Sequence, residues 1–194
     1  HIDESVPGGL KIPNLRRLGW EKAIHIHPEG VKVVGSYGRM REISNGKDTT
    51  SGHWEFMGNP VENPFPVFYD AFPQELLDTF TEKTGHGWLG NEVASGTEII
   101  SRLGPEHLKT KKTIVYTSAD SVFQIAAHTD VIPLEELYRI CEVTRKEVCV
   151  GPYEVGRVIA RPFVGEPGNF VRTGDRQDYS RLPERKMAFS YLKE

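Results

Sequence analysis

Hydrophobic and polar positions in residues 65–181 switch between a helical period and a strand period, which predicts a mixed α/β domain. Pro73 opens one helix, with Leu76, Leu77 and Phe80 on a single face. Ser95 or Thr97 caps a second, which carries Ile99, Ile100 and Leu103 and is expected to stop at Gly104-Pro105. Residues 134–148 predict the longest helix, Leu134, Leu137, Ile140 and Cys141 giving its spacing. The β-branched run Thr113–Thr117 and the run Val155–Arg161 predict strands. The second strand is expected to end in a turn-rich loop, Pro162–Gly168, and polar Thr173–Arg185 to lead out.

Ahead of this domain, Pro13–Gly19 reads as a short helix closed by glycine, and Val31–Gly35 as a brief strand. Trp54, Phe56 and Met57 suggest that the far side of the segment around residue 50 is buried. Pro60, Pro64 and Pro66 remove amide donors and disfavour helix, so residues 59–66 read as a linker or domain crossing. Residues 185–194 read as a helix with no terminating glycine or proline. With no initiator Met, this gives the expectation of a piece of a longer protein.

Composition narrows the functions. The chain has 194 residues and a formal net charge of -3, so any anion site has to be local, and neither nucleic acid nor membrane is expected as a partner. Cys141 and Cys149 lack CxxC or Cys/His metal spacing and read as reduced thiols in a cytoplasmic protein. There is no signal peptide and no long apolar run.

Candidate chemistry concentrates in Gly46-Lys47-Asp48-Thr49-Thr50-Ser51-Gly52-His53-Trp54-Glu55. Thr49, Thr50 and Ser51 are hydroxyl nucleophile candidates, and Lys47, Asp48 and His53 stand beside them as active-site support. On a helix His53 would share a face with Thr49, and first-turn amides there could hold a phosphate. The plainer alternative is that Asp48 or Thr49 is an N-cap and His53 a satisfied polar residue. Asp120, in Ser118-Ala119-Asp120-Ser121 after a strand, could accept from sugar hydroxyls, or be another cap. Arg157, Ile159 and Arg161 share a strand face with Arg172 nearby, which suits bidentate phosphate binding; the alternative is a solvated face or pairs with Glu154 and Glu166. His25, His27, His86, His107 and His128 lack ligand spacing, and His25-x-His27 reads as exposed. Trp54, Trp88, Phe65, Phe68 and Phe72 read as core.

Five ordered segments carry a resemblance: residues 46–58, 72–78, 95–100, 103–128 and 156–180, including GKDTTSGHWEFMG and GRVIARPFVGEPGNFVRTGDRQDYS. Together they resemble the phosphopentomutases of the alkaline phosphatase superfamily. The resemblance implies an α/β cap inserted into an incomplete alkaline-phosphatase-like core. Residues 1–64 would be core with the nucleophile loop, 65–181 the substrate-binding cap, and 182–194 the return to the core. It implies interconversion of (deoxy)ribose 1-phosphate and 5-phosphate in nucleoside salvage, through a phosphothreonine and a bisphosphate. Thr49 would carry the phosphate. Ser118, Asp120, Val122, Arg157, Ile159 and Arg172 would hold the pentose phosphate, with Arg172 in place of Arg161 as the second phosphate arginine. Two divalent metal ions, usually Mn2+, and a hexose 1,6-bisphosphate activator are implied. Of the metal ligands only Thr49 falls within this chain, so the chain alone is expected to be inactive without the missing core segments of its parent. Another phosphomutase or phosphatase of the superfamily, or a non-catalytic phosphosugar-binding module, are the alternatives.

Overall fold

The computed structural model describes residues 5–24 and 30–193; His25 and His27 lie outside the described residues, as do the first four residues and Glu194. Two compact units divide between residues 42 and 43.

In the first unit, helix α1 (Pro13–Leu18) starts on its proline and ends at Gly19, whose φ of 93° is left-handed and whose N–H bonds back to Arg16 and Leu15. A side chain at Gly19 would meet Tyr37 at 2.5 Å, so glycine is needed there for space as well as for conformation. Helix α2 (Trp20–Ala23) follows at once. The strand expected at 31–35 does not form. Val34 makes a single backbone bond, to Arg17, and no ladder supports the segment.

The second unit is a mixed α/β fold. Helix α3 (Thr49–Phe56) precedes α4 (Gln74–Thr84), β1 (Trp88–Val93), α5 (Gly96–Thr110), β2 (Thr113–Thr117), β3 (Val122–His128) and α6 (Leu134–Val143). Then come a π-helical turn (Thr144–Val148), a 3-10 turn (Gly151–Tyr153), β4 (Arg157–Glu166), β5 (Asn169–Arg172), β6 (Gln177–Ser180) and α7 (Ala188–Leu192). The sheet runs β1-β2-β3-β4-β5, with β6 paired to the first half of β4. β1 is parallel to β2 and β3 to β4, while β2–β3, β4–β5 and β4–β6 are antiparallel.

Strands β2 and β3 are buried at every position because both faces of the sheet are covered. Val115, Phe123, Ile125, Val158 and Ala160 face α4 and α6 in the larger core. Ile114, Tyr116, Ala126 and Phe163 point the other way, onto Ile99 and Ile100 of α5. Residues 59–66 form no regular element, as their prolines predict, but they are tied down. Val61 donates to Ser44, Pro66 accepts from Ser121, and Phe65 packs edge-on against Trp54 at 5.4 Å. Phe56, expected to be buried, is 70% exposed.

Three other expectations need correction. Helix α5 runs through Gly104-Pro105 to Thr110, because Gly104 lets the Phe170 ring lie against the helix; a Cβ there would stand 2.4 Å from it. His107 then anchors the far end. The helix expected at 134–148 becomes an α-helix plus a π-helical turn, with Thr144 Oγ1 donating to the Ile140 carbonyl at 2.7 Å. Strand β4 continues through Pro162, whose carbonyl accepts from Thr173 on the side where β6 pairing gives way to β5. The missing proline donor therefore falls in a gap of the ladder and costs little.

His107 gives this fold a pH dependence. Its Nδ1 meets the Lys112 carbonyl at 2.6 Å and its Nε2 accepts the His128 N–H at 2.9 Å, which requires the neutral ring. Burial pushes the imidazole below its ordinary value, the Lys112 bond opposing and the His128 charge adding. The unfolded chain therefore binds the proton first. The stabilisation is complete above about pH 6.5 and is lost as pH falls from there through the folded value. The thermal midpoint should fall more between pH 7 and 5 in the parent chain than in His107→Gln; equal falls would assign the loss elsewhere.

Candidate active site

The loop that opens α3 is built around Asp48. Its carboxylate accepts from the Ser51 amide at 3.0 Å and the Ser51 hydroxyl at 2.6 Å, in a buried N-cap. Gly46 makes room for this pair: a Cβ there would sit 2.2 Å from Ser51 Oγ. So Asp48 and Ser51 are structural partners, and Thr49 is left at the first helical position with its side chain exposed. His53 is one turn on. Its Nδ1 donates to the Thr49 carbonyl at 2.7 Å and does not touch the hydroxyl. Lys47 is exposed, and its charge helps hold the Glu55 carboxyl low, after the hydrogen bonds of Ser44 and Ile43.

Across from Thr49 stands Asp120, on the turn between β2 and β3. Thr49 Oγ1 donates to Asp120 Oδ2 at 2.6 Å, and the Thr49 amide donates to Oδ1 at 3.0 Å. Arg157, first residue of β4, donates from Nη2 to the same Oδ2 at 2.7 Å and from Nη1 to Asp178 at 3.0 Å. The turn is pinned from behind: Ser121 Oγ donates to Pro66 and accepts from the Gly156 amide. Gly156 lies against Thr50, where a Cβ would come to 3.0 Å. Burial alone would raise the Asp120 carboxyl, but the Thr49 hydroxyl and amide, the Arg157 charge and the Ser121 amide outweigh it and hold it below the ordinary carboxylate range. Asp120 is thus an ionised acceptor fixed on the hydroxyl of Thr49.

The other expected site residues are placed as follows. Ser118 lies on the same turn, its Oγ 3.4 Å from the Asp120 amide. Val122 and Ile159 are each 2% exposed and offer a ligand little side-chain surface. Arg157 and Arg172 do not converge. Arg157 is held by two carboxylates, whereas Arg172 lines a separate cavity of about 530 Å3 with Arg161 and Arg176. Sequence reasoning missed Asp178 and Arg176, which continue the ionic chain from Arg157: Arg176 Nε and Nη2 meet Asp178 at 2.6 and 2.7 Å. Glu154, a candidate partner for Arg157, pairs with Arg181 instead.

Among the described residues, no three His, Cys, Asp or Glu side chains are grouped to hold a metal. At Thr49 the acidic donors are already engaged, and the Arg157 guanidinium occupies the Asp120 oxygen that a cation would need. These residues by themselves do not fit a two-metal centre. Nor is any described helix long and apolar enough to cross a membrane.

No family model matches the chain. Curated relatives do. The phosphopentomutase of Caldanaerobacter subterraneus subsp. tengcongensis is 54% identical over 196 residues, covering 100% of this chain and 49% of that protein. The phosphopentomutase of Desulfitobacterium hafniense is 56% identical over 190 residues, covering 96% of the chain and 48% of the relative. That of Kosmotoga olearia is 54% identical over 189 residues, with 96% and 49% covered. The chain spans about half the length of these relatives. By this identity across its own length, the chain belongs to the phosphopentomutase family.

Proposed function

We propose that this chain carries the phosphate-accepting threonine and the substrate-binding domain of a cytoplasmic phosphopentomutase. The enzyme interconverts (deoxy)ribose 1-phosphate and (deoxy)ribose 5-phosphate for nucleoside salvage. The observation that carries the reading is the junction of Thr49 with Asp120 and Arg157, which brings the α3 loop and the sheet together at one exposed hydroxyl. In this division residues 65–181 are the cap, and residues 1–64 and 182–194 are strips of an alkaline-phosphatase-like core.

The transfer begins from phosphorylated Thr49. The bond from phosphorus to Thr49 Oγ1 breaks as a bond forms to the free C1 or C5 hydroxyl oxygen of the pentose phosphate. The proton of that hydroxyl passes in balance to the departing Thr49 Oγ1, which returns to a hydroxyl, and a pentose bisphosphate results. The reverse displacement returns the other phosphoryl group to Thr49 and leaves the isomer. Before phosphorylation Asp120 holds the Thr49 hydroxyl. Once a phosphoryl dianion stands there, the two like charges repel and the carboxylate is free for sugar hydroxyls. Arg157, 2.7 Å from Asp120, can then turn its fork to the ligand. Binding both ends of a small sugar phosphate positions the reacting oxygen, which is where remote binding energy acts. The divalent ions and the hexose 1,6-bisphosphate activator remain part of the proposal for the whole enzyme, but no step here is routed through them.

The lack of a metal donor set among the described residues favours a second reading for the chain taken alone: it binds phosphosugar without turning it over. A protein of the relatives' full length containing this sequence should convert ribose 1-phosphate to ribose 5-phosphate with Mn2+ and a hexose bisphosphate. The 194-residue chain should not. No turnover by the longer protein would sink the mutase reading.

A further inference from the structure

Asp178 on β6 holds the other arm of the guanidinium that meets Asp120. It pairs with Ile159 of β4, two residues beyond Arg157, so Asp178 and Arg157 are diagonal neighbours on one face of the sheet. Its Oδ2 accepts from Arg157 Nη1 at 3.0 Å. Arg176, two residues back, grips the same carboxylate with its fork, Nε to Oδ1 at 2.6 Å and Nη2 to Oδ2 at 2.7 Å. Burial alone would raise the Asp178 carboxyl, but the hydrogen bonds and charges of Arg176 and Arg157 outweigh it and hold it below the ordinary carboxylate range. Asp178 is therefore an ionised acceptor with an anchor of its own.

Arg157 is held less securely. Its Nη2 donates to Asp120 at 2.7 Å, and its Nε is buried with no hydrogen-bond partner among the described residues. The Asp120 bond is the one that phosphoryl transfer disturbs. Asp120 accepts from the Thr49 hydroxyl at 2.6 Å, and a phosphoryl dianion on that oxygen repels the carboxylate. Among the described residues Arg157 then keeps a single carboxylate, Asp178. A long side chain without a fixed partner samples many rotamers, and ordering it again on a ligand costs free energy. The Asp178 bond removes that cost. With Nη1 kept in place, the released Nη2 stays beside the Thr49 oxygen.

We propose that Asp178 is a positioning residue for phosphoryl transfer: anchored by Arg176, it keeps the Arg157 guanidinium beside Thr49 while Asp120 exchanges the threonine hydroxyl for the sugar. The role rests on the pentose phosphate reading for the reaction it serves. As a carboxylate already bonded to two arginines, Asp178 acts on a phosphate ligand through Arg157 and not by contact.

A double-mutant cycle tests this in a protein of the relatives' full length containing this sequence, assayed with Mn2+ and a hexose bisphosphate. Asp178→Ala should lower kcat/KM for ribose 5-phosphate about tenfold, the scale of one charge-assisted hydrogen bond, chiefly through a higher KM. In an Arg157→Ala background the same change should cost less than about twofold, because nothing remains to be positioned. Asp178→Glu restores the carboxylate and should recover most of the loss. Asp178→Asn keeps the volume and one acceptor oxygen; it should fall between the two, and it serves in the cycle if the alanine variant folds poorly. An Asp178→Ala enzyme as efficient as the parent, or equal losses in both backgrounds, overturns the role, and equal losses make Asp178 a support of the fold. A parent enzyme that never interconverts pentose phosphates overturns the mutase reading and this role together, whereas an active parent with equal losses removes this role alone.

Discussion

Thr49→Ala should abolish phosphate labelling of the protein and lower pentose phosphate interconversion by the full-length enzyme at least about 10⁴-fold, the scale of losing a covalent nucleophile. The fold should survive the change. Alanine is the best helix former, and the N-cap bonds that start α3 belong to Asp48 and Ser51, so the helix keeps its beginning. What disappears is one hydroxyl that donates to Asp120 at 2.6 Å. Thr49→Ser restores that hydroxyl and should restore labelling. The neighbouring hydroxyls are poor substitutes: Ser51 is 0% exposed and bonded to Asp48, and Thr50 is buried against Gly156. Labelling that persists in Thr49→Ala would move the nucleophile elsewhere and with it the mechanism.

The same loop marks how far the sequence could be read. Two glycines around a run of hydroxyls were enough to single out the candidate loop, because that chemistry is local. Which hydroxyl is free could not be read from spacing, since the Asp48–Ser51 cap that removes one candidate depends on the conformation of α3. The partners of Thr49 are less legible still. Asp120 lies seventy-one residues away, and Asp178 reaches Arg157 only because β6 pairs with the first half of β4. Thr173–Arg185 is polar, and the strand within it is exposed at every position but one, so no alternating pattern announced it. β3 was hidden for the opposite reason: Gln124 and His128 are polar residues inside a strand that is buried throughout. They are satisfied by Arg161 and the Gly165 carbonyl, contacts that only the sheet register creates. Helices with a clean apolar face, such as α4 with Leu76, Leu77 and Phe80, were legible at once. The two arginines assigned in turn to one phosphate by strand position and by resemblance, Arg161 and Arg172, both line the second cavity, whereas Arg157 bonds to Asp120 beside Thr49.

Arg157 therefore offers the second large effect. Arg157→Ala leaves two carboxylates, Asp120 and Asp178, without a shared cation. Breaking a fully buried pair costs roughly 3–5 kcal/mol and an exposed one less than about 1. Here the side chains are 18%, 24% and 26% exposed, and each carboxylate keeps other donors, Asp120 those of Thr49 and Ser121 and Asp178 that of Arg176. The expected loss is about 2 kcal/mol, or roughly 4–8 °C in thermal midpoint for a chain of this size. Arg157→Lys should recover only part, because a point charge cannot span both acids. The sign with pH follows from Asp120, whose folded carboxyl lies below the ordinary 3.8. Its stabilisation is present above that value and lost as pH falls through the folded one, so the gap between parent and Arg157→Ala should narrow below about pH 3.8. Urea unfolding at pH 7 and at pH 3 measures both. A loss under about 0.5 kcal/mol at pH 7 would make the pair an ordinary surface contact. A gap that does not narrow at pH 3 would mean that Arg157 stabilises the fold by packing, and that Thr49 faces a carboxylate held by its own hydrogen bonds.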